Sequence, residues 1–169
     1  SSYGSADALP EITLMHNESS SHARIAEAIQ QMWKENLGVD VNIATQEWGV
    51  YLQTLDEDSP QVWRLGWCTD YPDASNFDKD VFRSDSANNN TEWASDEFDS
   101  LVDQAALETD LQTRHDLYVE AEKILVEDDA VIIPLYWYTG VRVTKPYLDR
   151  TFGRGGQEAF WKWTMDRPE

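Results

Sequence analysis

Between Ile12 and Trp67 the hydrophobic pattern switches back and forth between a strand period of about two and a helix period of about 3.6 residues, which few folds can accommodate. Ile12-Thr13-Leu14-Met15 is strand-like and lies between Pro10 and the polar run Asn17 to Ser21. Ile25, Ile29, Met32, Trp33 and Leu37 recur at helical spacing, with serines 19 to 21 available as N-cap and Gly38 as the stop. Val39 to Ala44 alternates as a second strand, Trp48, Tyr51, Leu52 and Leu55 share a short helical face, and Val62 to Trp67 reads as a third strand. The order β-α-β-α-β predicts an α/β fold, with an open sheet covered by helices.

The second half has a different character. Residues 68–94 are rich in Asp, Asn, Ser and Pro and predict loops, with at most a short helix near Asn76 to Phe82. Phe98, Leu101, Val102 and Ala105 lie on one helical face behind a Ser95 cap. Leu111, Arg114, Leu117, Tyr118, Ala121, Ile124 and Leu125 lie on another, behind Thr109 or Asp110. Val131 to Tyr138 and Val141 to Thr144 read as two strands joined at Thr139-Gly140, and Ala159 to Thr164 as a last strand. Residues 1–9 are small and polar and read as a flexible lead-in to a single unit spanning 10–169.

Composition narrows the functional classes. A chain of 169 residues removes roughly 70% of its unfolded surface from water and needs no metal or disulfide staple. Its 32 acidic against 13 basic side chains give a formal charge of −19, which argues against nucleic acid and anionic membrane surfaces. No run approaches the roughly 20 apolar residues of a membrane span, and no signal-peptide pattern opens the chain. The lone cysteine, Cys68, is either a small buried hydrophobe or half of a pair whose partner lies elsewhere.

Enzyme motifs are scarce. Gly153-Arg154-Gly155-Gly156 lacks the Lys-Ser/Thr of a phosphate loop and reads as a surface turn. His16, His22 and His115 have no i, i+4 pairing, so no metal is expected, and nothing calls for a cofactor. No Gly-x-Ser-x-Gly elbow exists, and Asp56-Glu57-Asp58 lacks the spacing of a calcium loop. The segment Arg64-Leu65-Gly66-Trp67-Cys68-Thr69-Asp70-Tyr71-Pro72-Asp73 does stand out among the eight tryptophans of the chain. At the carboxyl edge of an open sheet, where ligands of α/β folds bind, it places an aromatic wall beside a carboxylate. Equally, Trp67 can be core and Asp70 the start of a turn.

This segment resembles the ligand loop of the family 5 extracellular solute-binding proteins, the oligopeptide- and dipeptide-binding components of ABC importers. Asn36-Leu37-Gly38-Val39, Gln46-Glu47-Trp48, Gly66-Trp67-Cys68-Thr69-Asp70-Tyr71, Ser84-Asp85-Ser86-Ala87-Asn88-Asn89 and Ile133-Pro134-Leu135-Tyr136-Trp137-Tyr138 are similar to family stretches in the same order, over roughly residues 10–166. The resemblance implies a lobe like that of type II periplasmic binding proteins, with an open mixed sheet flanked by helices. It also implies a fragment of a two-lobe protein, an extracytoplasmic location and a membrane permease as partner. Absence of a signal pattern then says nothing about location.

By the same resemblance, Asp70 receives the terminal ammonium of a peptide, Gly66 and Cys68 offer backbone groups to it, and Trp48 and Trp67 wall its side-chain pockets. Asn88 and Tyr138 match further lining positions, while Arg64 and His22 match positions that meet the peptide carboxylate. Leu55 departs from relatives that carry a second arginine there, and the cysteine matching Cys68 can pair with a region outside this chain. The expected function is capture of short peptides without catalysis. Alternatives are another solute of the same family, such as an oligosaccharide or a nickel complex, and, remotely, a glycoside hydrolase using Asp70 and Asp73. The isolated lobe is expected to be mainly monomeric with weak or undetectable peptide affinity, unless an apolar cleft face drives self-association.

Overall fold

A computed structural model describes residues 9–153 and 158–166, and these fall into two compact units that meet in sequence between Trp67 and Cys68. Of the lead-in, only Leu9 is described, and it packs against the cluster of Leu14, Ala26, Val39 and Val41. Arg154-Gly155-Gly156 of the expected glycine-rich turn lies outside the described residues.

The first unit is the expected β-α-β-α-β sequence: β1 (Ile12–Asn17), α1 (Ser20–Leu37), β2 (Val41–Gln46), α2 (Trp48–Glu57) and β3 (Val62–Trp63). The three strands are parallel in the order β2-β1-β3, with Ile12 opposite Val41 and Leu14 opposite Val62. Central β1 buries Leu14, Met15 and His16 because helices cover both faces of the sheet. Leu14 faces the α1 side with Ala26 and Val41, while Met15 faces the α2 side with Tyr51 and Leu55, as alternation along a strand requires. Helix α1 ends where Gly38 turns left-handed at φ 70°, a conformation glycine adopts without a Cβ penalty, and its N–H closes on the Lys34 carbonyl at 3.1 Å.

The expected strand Val62 to Trp67 stops at Trp63. One further ladder bond follows, from the Arg64 N–H to the Met15 carbonyl at 2.9 Å. The Arg64 carbonyl is then taken by the Tyr51 hydroxyl of α2, which also lies 3.4 Å from the Met15 carbonyl. A side-chain donor thus replaces the next strand contact, and the backbone leaves the sheet. Arg64 and Gly66 therefore do not share a strand face.

In the second unit, one turn of helix α3 (Ser75–Phe77) runs into a wide turn over Asp78–Phe82, followed by α4 (Asp96–Leu107) and α5 (Leu111–Lys123), which continues as a wide turn to Asp128. Helices α4 and α5 form an antiparallel pair around Phe98, Leu101, Val102, Ala121 and Leu125. Their caps are those the sequence offers: the Ser95 side chain accepts from the Phe98 N–H at 3.3 Å and Asp110 from the Thr113 N–H at 2.9 Å. Asp110→Ala should cost about 1 kcal/mol of unfolding free energy, read by urea titration; a loss below 0.2 of that figure, roughly, would show the cap is replaced by water.

Two expectations fail here. Val131 to Tyr138 and Val141 to Thr144 form no strands, and Ile133, Trp137, Val141 and Val143 are largely exposed. Alternating apolar residues make a strand only beside another edge, and no described strand pairs with this segment. Ala159 to Thr164 forms a short 3-10 turn, Phe160–Lys162; only Thr164–Met165 (β5) pairs, antiparallel to Leu148–Asp149 (β4). The parallel and antiparallel sheets are separate among the described residues.

Candidate functional site

Site residues of the first unit gather at the carboxyl end of its parallel strands. Trp48 is the first residue of α2, held there by Glu47, whose carboxylate accepts from the Gly49 N–H at 2.8 Å and the Val50 N–H at 3.4 Å. A carboxylate at a helix N-terminus also complements the helix dipole. The Trp48 ring stacks on Tyr51 at 6.1 Å and 22° and remains half exposed. Tyr51 itself is fully buried, and burial pushes its hydroxyl up to about 12, so it stays a donor to the Arg64 carbonyl at any physiological pH.

His22 sits in the first turn of α1, half-buried, close enough to Arg64 and His16 to feel both. Burial first, then the Arg64 charge, lowers its pKa, which favours the neutral ring at neutral pH. In the first unit Arg64 lies close enough to His22 for its charge to act on the ring. His16 is buried beneath them, its Nδ1 paired with the Asn17 carbonyl at 2.9 Å and Nε2 with Thr45 Oγ1 at 3.2 Å. Gly66 is exposed and Trp67 half-buried, beyond the end of β3. Leu55 is a core residue, 4% exposed against Met15 and Tyr51.

The second unit carries the remainder. Cys68 is exposed, which excludes its reading as a buried hydrophobe. Asp70 is exposed on the bend that runs through Asp73. Its N–H donates to Asn76 Oδ1 at 2.9 Å, and the other end of the Asn76 amide donates to Asp80 Oδ2 at 2.9 Å. Asp80 Oδ2 also accepts the Tyr71 hydroxyl at 2.7 Å. On the far side of Pro72, Asp73 receives a fork of bonds from Arg114 of α5, at 2.7 and 2.9 Å, and holds the Ser75 hydroxyl at 2.6 Å. The Arg114 guanidinium keeps the Asp73 carboxyl well below the usual carboxylate range.

Asn88 is exposed and spends its amide on the Asp80 carbonyl at 2.9 Å, so it ties to the same turn that holds Asp70. Tyr138 is exposed, with its hydroxyl 3.0 Å from that of Tyr136, while neighbouring Trp137 meets the Phe77 ring edge-on at 5.9 Å. Among the described residues no group of His, Cys, Asp or Glu side chains is placed to hold a metal ion, and no helix is long and apolar enough to cross a membrane.

Sequence reasoning missed the residues that hold these groups in place. Glu47 carried a usable signal, an acidic side chain directly before a helical face. Arg114 did not: it lies 41 positions from Asp73, and its helical face gives no hint of that partner.

Residues 2–89 match the family of bacterial extracellular solute-binding proteins, family 5, in its middle region. The oligopeptide-binding protein OppA of Bacillus subtilis is 39% identical over 158 residues, 93% of this chain and 29% of that protein. Among solved structures, the Escherichia coli murein tripeptide binding protein MppA superposes with a TM-score of 0.77 at 36% identity, over 86% of this chain and 28% of that one. Haemophilus influenzae OppA, in complex with the peptide RPPGFSPFR, gives 0.76 at 33% identity, over 86% and 29%. The chain therefore spans under a third of the length of these relatives, and its fold is that of a part of a periplasmic binding protein. It belongs to the family 5 bacterial extracellular solute-binding proteins.

Proposed function

We propose that the chain is part of the substrate-binding component of an ABC importer and helps capture short peptides, without catalysis, in a cleft closed by a second lobe. Both units, over residues 10–169, are then parts of one ligand-binding lobe. The observation that carries this reading is Asp70, an exposed carboxylate on a bend pinned on both sides by hydrogen bonds. A charge-assisted bond to a peptide ammonium is the strong kind, and a carboxylate carried on a backbone held before the ligand arrives spends less entropy on binding. Trp48 and Trp67 serve as pocket walls, and Gly66 and Cys68 offer backbone groups in the manner of strand addition. Arg64 and His22 meet the peptide carboxylate; Asn88 and Tyr138 line the remainder.

The full-length protein is extracytoplasmic in this reading, delivers its peptide to a membrane permease, and pairs Cys68 with a cysteine outside this chain. The isolated lobe is monomeric. The hydrolase alternative is disfavoured because a glycosidase acid needs a raised pKa, and Asp73 is held low by Arg114.

Calorimetric titration of tripeptides into the full-length protein tests the reading. Wild type should bind, and Asp70→Ala should weaken binding by about tenfold to a hundredfold, the worth of one charge-assisted hydrogen bond. Equal affinity in both proteins would remove Asp70 from the site. No binding by a well-folded wild type would move the solute to sugars or metal chelates.

A further inference from the structure

Asp70 lies on a bend with no ladder to fix its backbone, yet a carboxylate that selects an ammonium has to be held to about half an ångström. The bond made by its own backbone N–H goes to one buried amide. Asn76 is 1% exposed, and its two ends are both used: Oδ1 accepts the Asp70 N–H at 2.9 Å and Nδ2 donates to Asp80 Oδ2 at 2.9 Å. Asp80 is fixed in turn, since its carboxylate accepts Tyr71 at 2.7 Å and its carbonyl accepts Ser86 at 2.7 Å and Asn88 at 2.9 Å.

The chemistry suits asparagine. The position needs an acceptor and a donor back to back on a short, buried side chain. Aspartate has no donor in its ionised form and would add a charge beside Asp78 and Asp80. Serine ends one bond short of both partners. A purely structural asparagine could spend its acceptor on any backbone N–H of the α3 turn; this one spends it on the residue that the proposed function needs held.

We propose that Asn76 is the positioning residue for Asp70, and that selection of peptides with a free amino terminus depends on it. This rests on the reading of Asp70 as the ammonium acceptor. Asn76 is buried and acts through the Asp70 backbone. It sets the direction in which the Asp70 carboxylate leaves the bend, so its loss frees the bend to sample other orientations, and the ammonium must then select among them.

The test is the ratio of affinities for trialanine and N-acetyl-trialanine, measured by calorimetry on the full-length protein. A structural defect lowers both affinities together, whereas loss of positioning lowers the ratio alone. Asn76→Ala should reduce the preference for the free amino terminus about tenfold and leave the acetylated peptide's affinity unchanged. Asn76→Ser keeps a polar atom in the buried site, so it is the variant to read if the alanine protein does not fold, and it should show the same loss. A preference retained in a folded Asn76 variant, with only the melting temperature lowered, overturns the positioning role. If Asp70→Ala abolishes the preference while the Asn76 variants keep it, only this proposal fails. If the wild type shows no preference, or Asp70→Ala keeps it, the ammonium reading fails and the proposal with it.

Discussion

Asp78→Asn should make the protein more stable at pH 8, by about 4 kcal/mol at most, while leaving its stability near pH 4 almost unchanged. Asp78 is 1% exposed on the wide turn after α3, and its Oδ2 has no hydrogen-bond partner. Burial raises its pKa to about 7, and the nearby carboxylates of Glu122 and Asp73 push the same way. The folded value lies above the unfolded one of about 3.9, so between these two the native state holds a proton that the unfolded chain has already released. Stability contributed by the neutral acid is therefore whole below about pH 4, falls as pH rises, and is gone above about pH 7. An asparagine is neutral throughout and removes that slope. Urea unfolding of both proteins at pH 4, 6 and 8 reads it directly, and parallel curves would show that water reaches the carboxylate.

Asp73 works in the opposite direction. Its pKa is lowered by Arg114, so its contribution is present above the unfolded value and is lost as pH falls through the folded one. The two groups lie on one short segment and favour a window from pH 4 to 6, in which Asp73 is charged and Asp78 largely neutral.

Phe98→Ala is expected to cost about 3–5 kcal/mol, enough to unfold a marginal domain at room temperature. Phe98 is fully buried at the centre of the α4–α5 pair, among Leu101, Val102, Ala121 and Leu125. Trp93 meets its ring edge-on at 5.0 Å, and the Trp93 indole is tied to Asp129 at 2.9 Å, so the surroundings cannot collapse far into the space left behind. Phe98→Leu should cost less than half as much. A loss under about 1 kcal/mol for the alanine variant would mean that this core repacks freely, contrary to the tether on Trp93.

Elements whose stabilising partners are close in sequence were legible from residues alone. Helices α1 and α2 follow from their period, α1 also from its Gly38 stop although the Ser19 side chain makes no capping bond, and α4 and α5 from period and the Ser95 and Asp110 caps, because a helix satisfies its own backbone. Strands β1 and β2 followed from alternation flanked by turn residues. The candidate site was legible as a stretch of residue types, Gly66 to Tyr71, but not as an arrangement.

The tertiary structure decided wherever a partner is distant. Strand β3 ends at Trp63 and not Trp67 because the Tyr51 hydroxyl takes the Arg64 carbonyl, a contact across 13 positions that no local pattern announces. Residues 131–144 carry every mark of strands and form none, since a strand exists only with a neighbour to complete its hydrogen bonds. Asp70 was singled out by the resemblance of its segment, but Asn76, Asp80 and the Asp73–Arg114 fork hold the bend that carries it. Period and capping are properties of neighbouring residues and survive in the sequence; ladder ends, buried charges and ion pairs are properties of what the folded chain brings beside them.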